Sequence, residues 1–218
     1  MMNKDQLTIA KREVYRLLRE LLNMDFYSQA TQDLFVLGMV SNKRNGFYVE
    51  IGSGPPSDSN NTFILEQKFD WKGISVEYDL GLVELYNAQR KNKAIAGDAT
   101  SLDYCAIFND MNAPTQIDYL SIDIEPATNT LKALSRLPHS KYRFSVITFE
   151  HDRYRCGDSV MLDSRKFLKS LGYELVVSNL HVFGRDFEDW WIDPAMVDQS
   201  VWMPFVCNDV EFSSIWTS

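Results

Sequence analysis

From residue 46 onward the chain alternates short apolar runs with longer amphipathic ones. The apolar runs predict strands near 46–51, 73–77, 93–96, 116–123, 144–150, 173–179 and 200–207. Between them, apolar residues recurring every three or four positions predict helices near 59–69, 79–91, 100–110, 127–137 and 158–171. Ahead of this alternation, Val14, Leu17, Leu18, Leu21 and Leu22 share one face of an amphipathic helix. Ser28 is placed to cap a second helix carrying Leu34, Phe35, Val36 and Leu37. Repeated βα units of this length predict an α/β, Rossmann-like fold: a mostly parallel seven-stranded sheet with helices on both faces. Only the polar segment 184–194 separates the last two predicted strands, which implies a final antiparallel strand. The expected organisation is one domain over 1–218, with an N-terminal helical segment (1–42) and the Rossmann-like core (43–218).

The first two strands end alike. Phe47, Tyr48, Val49 and Ile51 lead through Glu50 into Gly52, Ser53 and Gly54, and the run Gly73 to Val76 closes on Glu77. Glycines after a first strand let a ligand approach the backbone, and an acid closing the second strand can accept from a ribose diol. A dinucleotide site needs a third glycine and free amides for the pyrophosphate. Here that position is Ser57, and Pro55 and Pro56 remove two donors. Glu50 would repel a phosphate but could hold an ammonium. The pattern suits adenosine at one end and an amino acid at the other, as in S-adenosylmethionine, better than NAD. Glu50, Gly52, Ser53 and Gly54 are candidates for the methionine end, and Glu77 for the ribose. Asp98, next to Ala99 after the third strand, either accepts from the adenine amino group or caps the helix starting at Thr100.

Acids also close the next two strands: Asp123 and Glu125 on the fourth, Glu150 and Asp152 around His151 on the fifth. Carboxyl ends of adjacent parallel strands line one crevice. Carboxylates gathered there repel unless a cation joins them, so Asp123, Glu150 and Asp152 are candidate ligands for Mg2+. Such an ion would lower the pKa of an acceptor hydroxyl. In the rival readings Asp123 meets only the cofactor's amine, or His151 is a metal-free general base. Plain hydrogen bonding within the cluster is a third. Arg153 and Arg155 either contact an anionic substrate or pair with these acids. Tyr154, Trp190 and Trp191 either wall an acceptor site or pack on the core. His181 reads as structural.

Composition narrows the partners. A formal charge of −8 on 218 residues argues against nucleic acid, whose phosphates need a basic face. Cys105, Cys156 and Cys207 share no metal-type spacing and read as reduced. No long apolar run suggests a signal peptide or a membrane span, so the expected setting is cytoplasmic and free of membranes.

Taken together, several stretches resemble the FkbM-like branch of S-adenosylmethionine-dependent methyltransferases. They are Ser28-Gln29 with Gln32-Asp33, Phe47 to Gly52, Ser59 to Thr62 with Leu65-Glu66, Trp71 to Glu77, and Asp118 to Glu125. The chain departs from that pattern at Pro55-Pro56 and at Pro126. The resemblance implies a Rossmann-like methyltransferase fold, S-adenosylmethionine as cofactor, and O-methylation of a hydroxyl on a sugar or small metabolite. It also adds Gln29 and Asn61 to the cofactor contacts. The catalytic candidates are His151 and Asp123. A non-catalytic adenosine-binding or protein-interaction module of the same fold is the alternative, and an NAD(P)-linked reductase is disfavoured by Ser57 and the prolines.

Overall fold

The computed structural model describes residues 26–211, so the amphipathic helix expected at 14–22 lies outside the described residues. Helix α1 (Gln32–Met39) leads into β1 (Phe47–Ile51), α2 (Phe63–Phe69), β2 (Lys72–Glu77), α3 (Leu80–Gln89) and β3 (Ala94–Ala96). The chain continues through α4 (Tyr104–Asp110), β4 (Gln116–Ile122), α5 (Ala127–Arg136) and β5 (Arg143–Glu150). A short turn of helix α6 (Arg153–Cys156), α7 (Asp158–Ser170), β6 (Glu174–Val182) and β7 (Arg185–Ile192) follow. Helix α8 (Gln199–Trp202), a 3-10 turn at Met203–Phe205 and β8 (Cys207–Asn208) complete the described part.

The strands form one sheet in the order β3-β2-β1-β4-β5-β7-β6-β8. Pairs within β1 to β5 are parallel, whereas β7 runs antiparallel to both β5 and β6. The order reverses between β1 and β4, and there the connections leave opposite faces and open a crevice at the carboxyl edge.

Successive residues of each central strand go to opposite faces, since the side-chain period of a strand is two. Tyr48, Tyr119, Val146 and Trp190 join a core with α1, while Val49, Leu120, Ile147 and Trp191 join a second core with α4, α5 and α7. Trp190 and Trp191 are therefore fully buried on either side of β7 and wall no pocket.

Several expectations need correction. The antiparallel partner is the segment 184–194, not 200–207, which is helix and 3-10 turn until Cys207. The sheet has eight strands rather than seven. The acids of β7 hid the strand, but each finds a partner: Asp186 pairs with Arg153, Asp189 with Arg165, and Glu188 accepts from Gln32 and Trp190. Ser28 caps nothing; its hydroxyl donates to Asp33 at 2.5 Å, and Thr31 stands at the start of α1. Helix α4 begins at Tyr104, where Asp103 accepts from the Ala106 amide. Among the described residues no helix is long and apolar enough to cross a membrane.

Candidate functional site

The crevice at the switch point holds two adjoining cavities. The larger, about 670 Å³, is lined by Glu77, Tyr78, Asp98, Ala99 and Glu125 among others. The smaller, about 240 Å³, is lined by Gln29, Gln32, Glu50, Ser53 and Asn61 among others. Gly52, Gly54 and Asp123 line both. The fold thus brings all of the expected cofactor residues to one crevice.

Gly52 makes the crossing possible. Its φ is +84°, and an added Cβ would lie 1.7 Å from the Asp123 carbonyl oxygen. Only glycine fits so close to β4 with that backbone. Its N–H and that of Ser53 both donate to the Val76 carbonyl, which ties the turn to β2.

Glu77 is held by three backbone amides. Gly54 donates to Oε2 at 2.9 Å, while Tyr78 and Asp79 donate to Oε1 at 2.7 and 2.9 Å. A carboxylate has about four acceptor sites, so one on Oε2 remains for the cavity. Asp98 accepts from the Thr100 amide at 2.8 Å, and that bond is the chief cause that holds its carboxyl below the usual range. It organises a turn rather than starting α4, and it lines the larger cavity.

Glu50 behaves differently from the sequence expectation. Its Oε1 accepts from Asn60 at 3.2 Å and Thr62 at 3.0 Å, and its Oε2 from Ser75 at 2.8 Å and Tyr86 at 3.2 Å. Four donors fill its four sites. Burial pushes its pKa up, and the nearby Arg90 opposes that shift. Arg90 also donates to Pro56 O and Asn60, so the Glu50 network anchors the loop that roofs the smaller cavity. Two buried oxygens in that cavity have no hydrogen-bond partner among the described residues: Ser53 Oγ and Asn61 Oδ1. The Asn61 amide donates to Ser121 at 2.9 Å, which fixes its orphan oxygen in place. Gln29 is exposed at the mouth.

Asp123 and Glu150 are hydrogen-bonded to each other, so the pair holds a proton. Burial is the main cause that raises both pKa values, and the charge of Asp123 is the next cause at Glu150. Among the described residues, no three His, Cys, Asp or Glu side chains are grouped as ligands of one metal ion. Asp123 and Glu150 spend oxygens on each other, and Asp152 takes Arg155 at 3.4 Å. This arrangement gives the expected Mg2+ no support. His151 is fully buried: its Nδ1 accepts from the Arg153 amide at 3.2 Å and its Nε2 lies 3.4 Å from Asp189. The structure does not bring its ring to either cavity.

Two residues escaped the sequence. Tyr78, 79 % exposed beside Glu77, presents an aromatic face to the larger cavity. Its signal was available: an aromatic directly after the strand-ending acid. Glu188 had none, because its strand was not recognised. It lies opposite Glu150 in the register, and burial above all raises its pKa to about 8.

No family model matches the chain, and no curated protein sequence matches it. Solved structures do. An rRNA methylase from Streptococcus thermophilus superposes with a TM-score of 0.51 at 10 % identity, covering 78 % of this chain and 98 % of that one. The METTL16 MTase domain gives 0.51 at 13 % identity, covering 88 % and 81 %. The human methyltransferase 10 domain containing protein gives 0.50 at 12 % identity, covering 88 % and 97 %. At such identities the likeness is one of fold: the chain has the α/β Rossmann-like methyltransferase fold.

Proposed function

We propose that the chain is an S-adenosylmethionine-dependent methyltransferase that methylates a hydroxyl on a sugar or small metabolite. The observation that carries this is the pair of joined cavities. One end offers Glu77, Asp98 and the Tyr78 ring, suited to a nucleoside. The other offers Asp123 and the unpaired Ser53 and Asn61 oxygens, suited to an ammonium and its hydrogens. The resemblance to FkbM-like enzymes favours oxygen as the acceptor atom and this cofactor over others of similar shape.

When bound, S-adenosylmethionine supplies a methyl group on a positively charged sulfur. The chain's own task is then to bind, align and desolvate. Glu77 would accept from the ribose with its remaining site, and the exposed Tyr78 ring would be available to the base. Ser53, Asn61 and Asp123 orient the amino-acid end, while Glu50 and Arg90 keep the loop from moving. Asp123 is the carboxylate common to both cavities, so it is the group placed to take the acceptor's proton. Glu150, hydrogen-bonded behind it, holds the carboxyl in position.

Calorimetric titration of the chain with S-adenosylhomocysteine tests this. One-to-one binding is expected, with none for NAD; a separate assay with S-adenosylmethionine as donor should show methyl transfer to sugar or phenolic hydroxyls that chelator leaves unchanged. Binding of NAD with no response to S-adenosylhomocysteine would overturn the proposal. Chelator-sensitive turnover restored by Mg2+ would instead show that the Asp123–Glu150 pair opens around an ion.

A further inference from the structure

We propose that the acceptor is a ring compound bearing one anionic group, stacked on Tyr154 with its anion at Arg185. The inference deepens the proposed function, since it names the acceptor class for the same site. It starts from a line of contacts leading away from the cofactor crevice. Glu125 lines the larger cavity and is bonded to Arg155. The Arg155 guanidinium lies 5.5 Å from the Tyr154 ring centre, and that of Arg185 lies 5.9 Å from it. Tyr154 is 43 % exposed, so part of its ring faces solvent.

The arginines along this line differ. Arg153 is taken by Asp158 and Asp186, and Arg155 by Glu125 and Asp152. Arg185 is exposed and meets no carboxylate among the described residues; its one described partner is the Tyr154 ring. It follows the two-residue turn Phe183–Gly184, whose φ values are 51° and 73°. Such turns ordinarily use Asn, Asp or Gly, and a bulky residue there is strained. Phe183 is nevertheless aromatic and 84 % exposed, so the tip presents a second apolar surface that folding does not require.

Charge gives the acceptor its direction. The crevice is acidic, with Glu77, Asp98, Asp123 and Glu125 on its walls, and an anion is repelled from it. Arg185 offers the anion a charge-assisted, two-pronged contact at the far end of the Tyr154 platform. An acceptor held so keeps its anion away from these acids. One guanidinium that meets no carboxylate among the described residues, on a chain of charge −8, suits one phosphate or carboxylate, not a phosphodiester strand.

The test titrates the 218-residue chain, with and without S-adenosylhomocysteine, with 4-nitrophenyl phosphate, 4-hydroxybenzoate and phenol. At least one anion should bind roughly tenfold more tightly than phenol, and which one does so separates phosphate from carboxylate acceptors. Arg185→Gln should reduce that gap to about twofold, Arg185→Lys should keep part of it, and Tyr154→Leu should weaken all three probes alike. No gap in the wild-type chain, or a gap that survives Arg185→Gln, overturns the proposal. So does a poly-U oligonucleotide that binds more tightly than either anion with a steep salt dependence. The titrations without S-adenosylhomocysteine read the anion preference alone, so a failed cofactor reading remains distinguishable.

Discussion

Glu77 at the end of β2 and Glu188 inside β7 are both strand acids, yet their surroundings differ in kind. Glu77 accepts from three backbone amides and keeps one site facing a cavity of about 670 Å³. Glu188 is 2 % exposed, accepts from Gln32 and Trp190, and has a pKa raised to about 8. Backbone amides satisfy three of the carboxylate's acceptor sites while leaving Glu77 accessible to the cavity. Burial beside other acids instead favours the proton. The same contrast recurs along the carboxyl edge: Glu77 and Asp98 line the open larger cavity, whereas Glu50, Glu150 and Glu188 are buried with raised pKa values.

The largest effect expected is at the seam between β1 and β4. Gly52→Val would place a Cβ 1.7 Å from the Asp123 carbonyl oxygen at a φ of +84°. No rotamer relieves a backbone clash, so the loss should exceed about 4 kcal/mol and leave little folded protein. Thermal melting by circular dichroism checks it. A variant that melts like the wild type would show that β1 and β4 are not held at this distance.

A smaller effect sharpens the contrast in protonation. Glu188 has a folded pKa of about 8 against 4.5 for the free group. The folded chain therefore binds more protons than the unfolded one between these values, and stability contributed by the protonated form falls as pH rises through that window. Each such group changes stability by at most about 1.4 kcal/mol per pH unit. Glu188→Gln keeps the shape without the titration, so its melting temperature should fall less than the wild type's between pH 5 and 8. Parallel curves for the two proteins would mean that Glu188 is charged in the folded state.

The two sides of the sheet were unequally legible in the sequence for a physical reason. On the β1–β3 side the signals are local: an apolar run, an acid, then glycines, with Tyr78 and Asp79 directly after the Glu77 they support. On the β7 side the compensating partners are remote. Gln32 lies 156 residues from Glu188, and Arg165 lies 24 from Asp189, so Arg185 to Ile192 read as a polar connection. Glu50 was visible as an acid beside glycine, but not the four donors that fill its oxygens. The apolar content of 200–207 suggested a strand, yet Pro204 sits in a 3-10 turn and only Cys207 of that run pairs.

The last prediction asks whether an accessible acid can be removed without disturbing the fold. Glu77→Ala deletes the acceptor facing the cavity and the hydrogen bond from Gly54, but creates no buried cavity and leaves no buried charge unpaired. Binding of S-adenosylhomocysteine should weaken by about 1.5–3 kcal/mol, the range for hydrogen bonds to a charged group. The melting temperature of the free protein should change little, because the Tyr78 and Asp79 amides are exposed enough to be hydrated. Glu77→Gln should recover part of the affinity: its amide oxygen still accepts, though without the charge. The comparison breaks if Glu77→Ala unfolds the protein while binding per folded molecule stays intact. Glu77 would then be structural in the same sense as Glu188, and the cavity it faces would need another residue to hold a ribose.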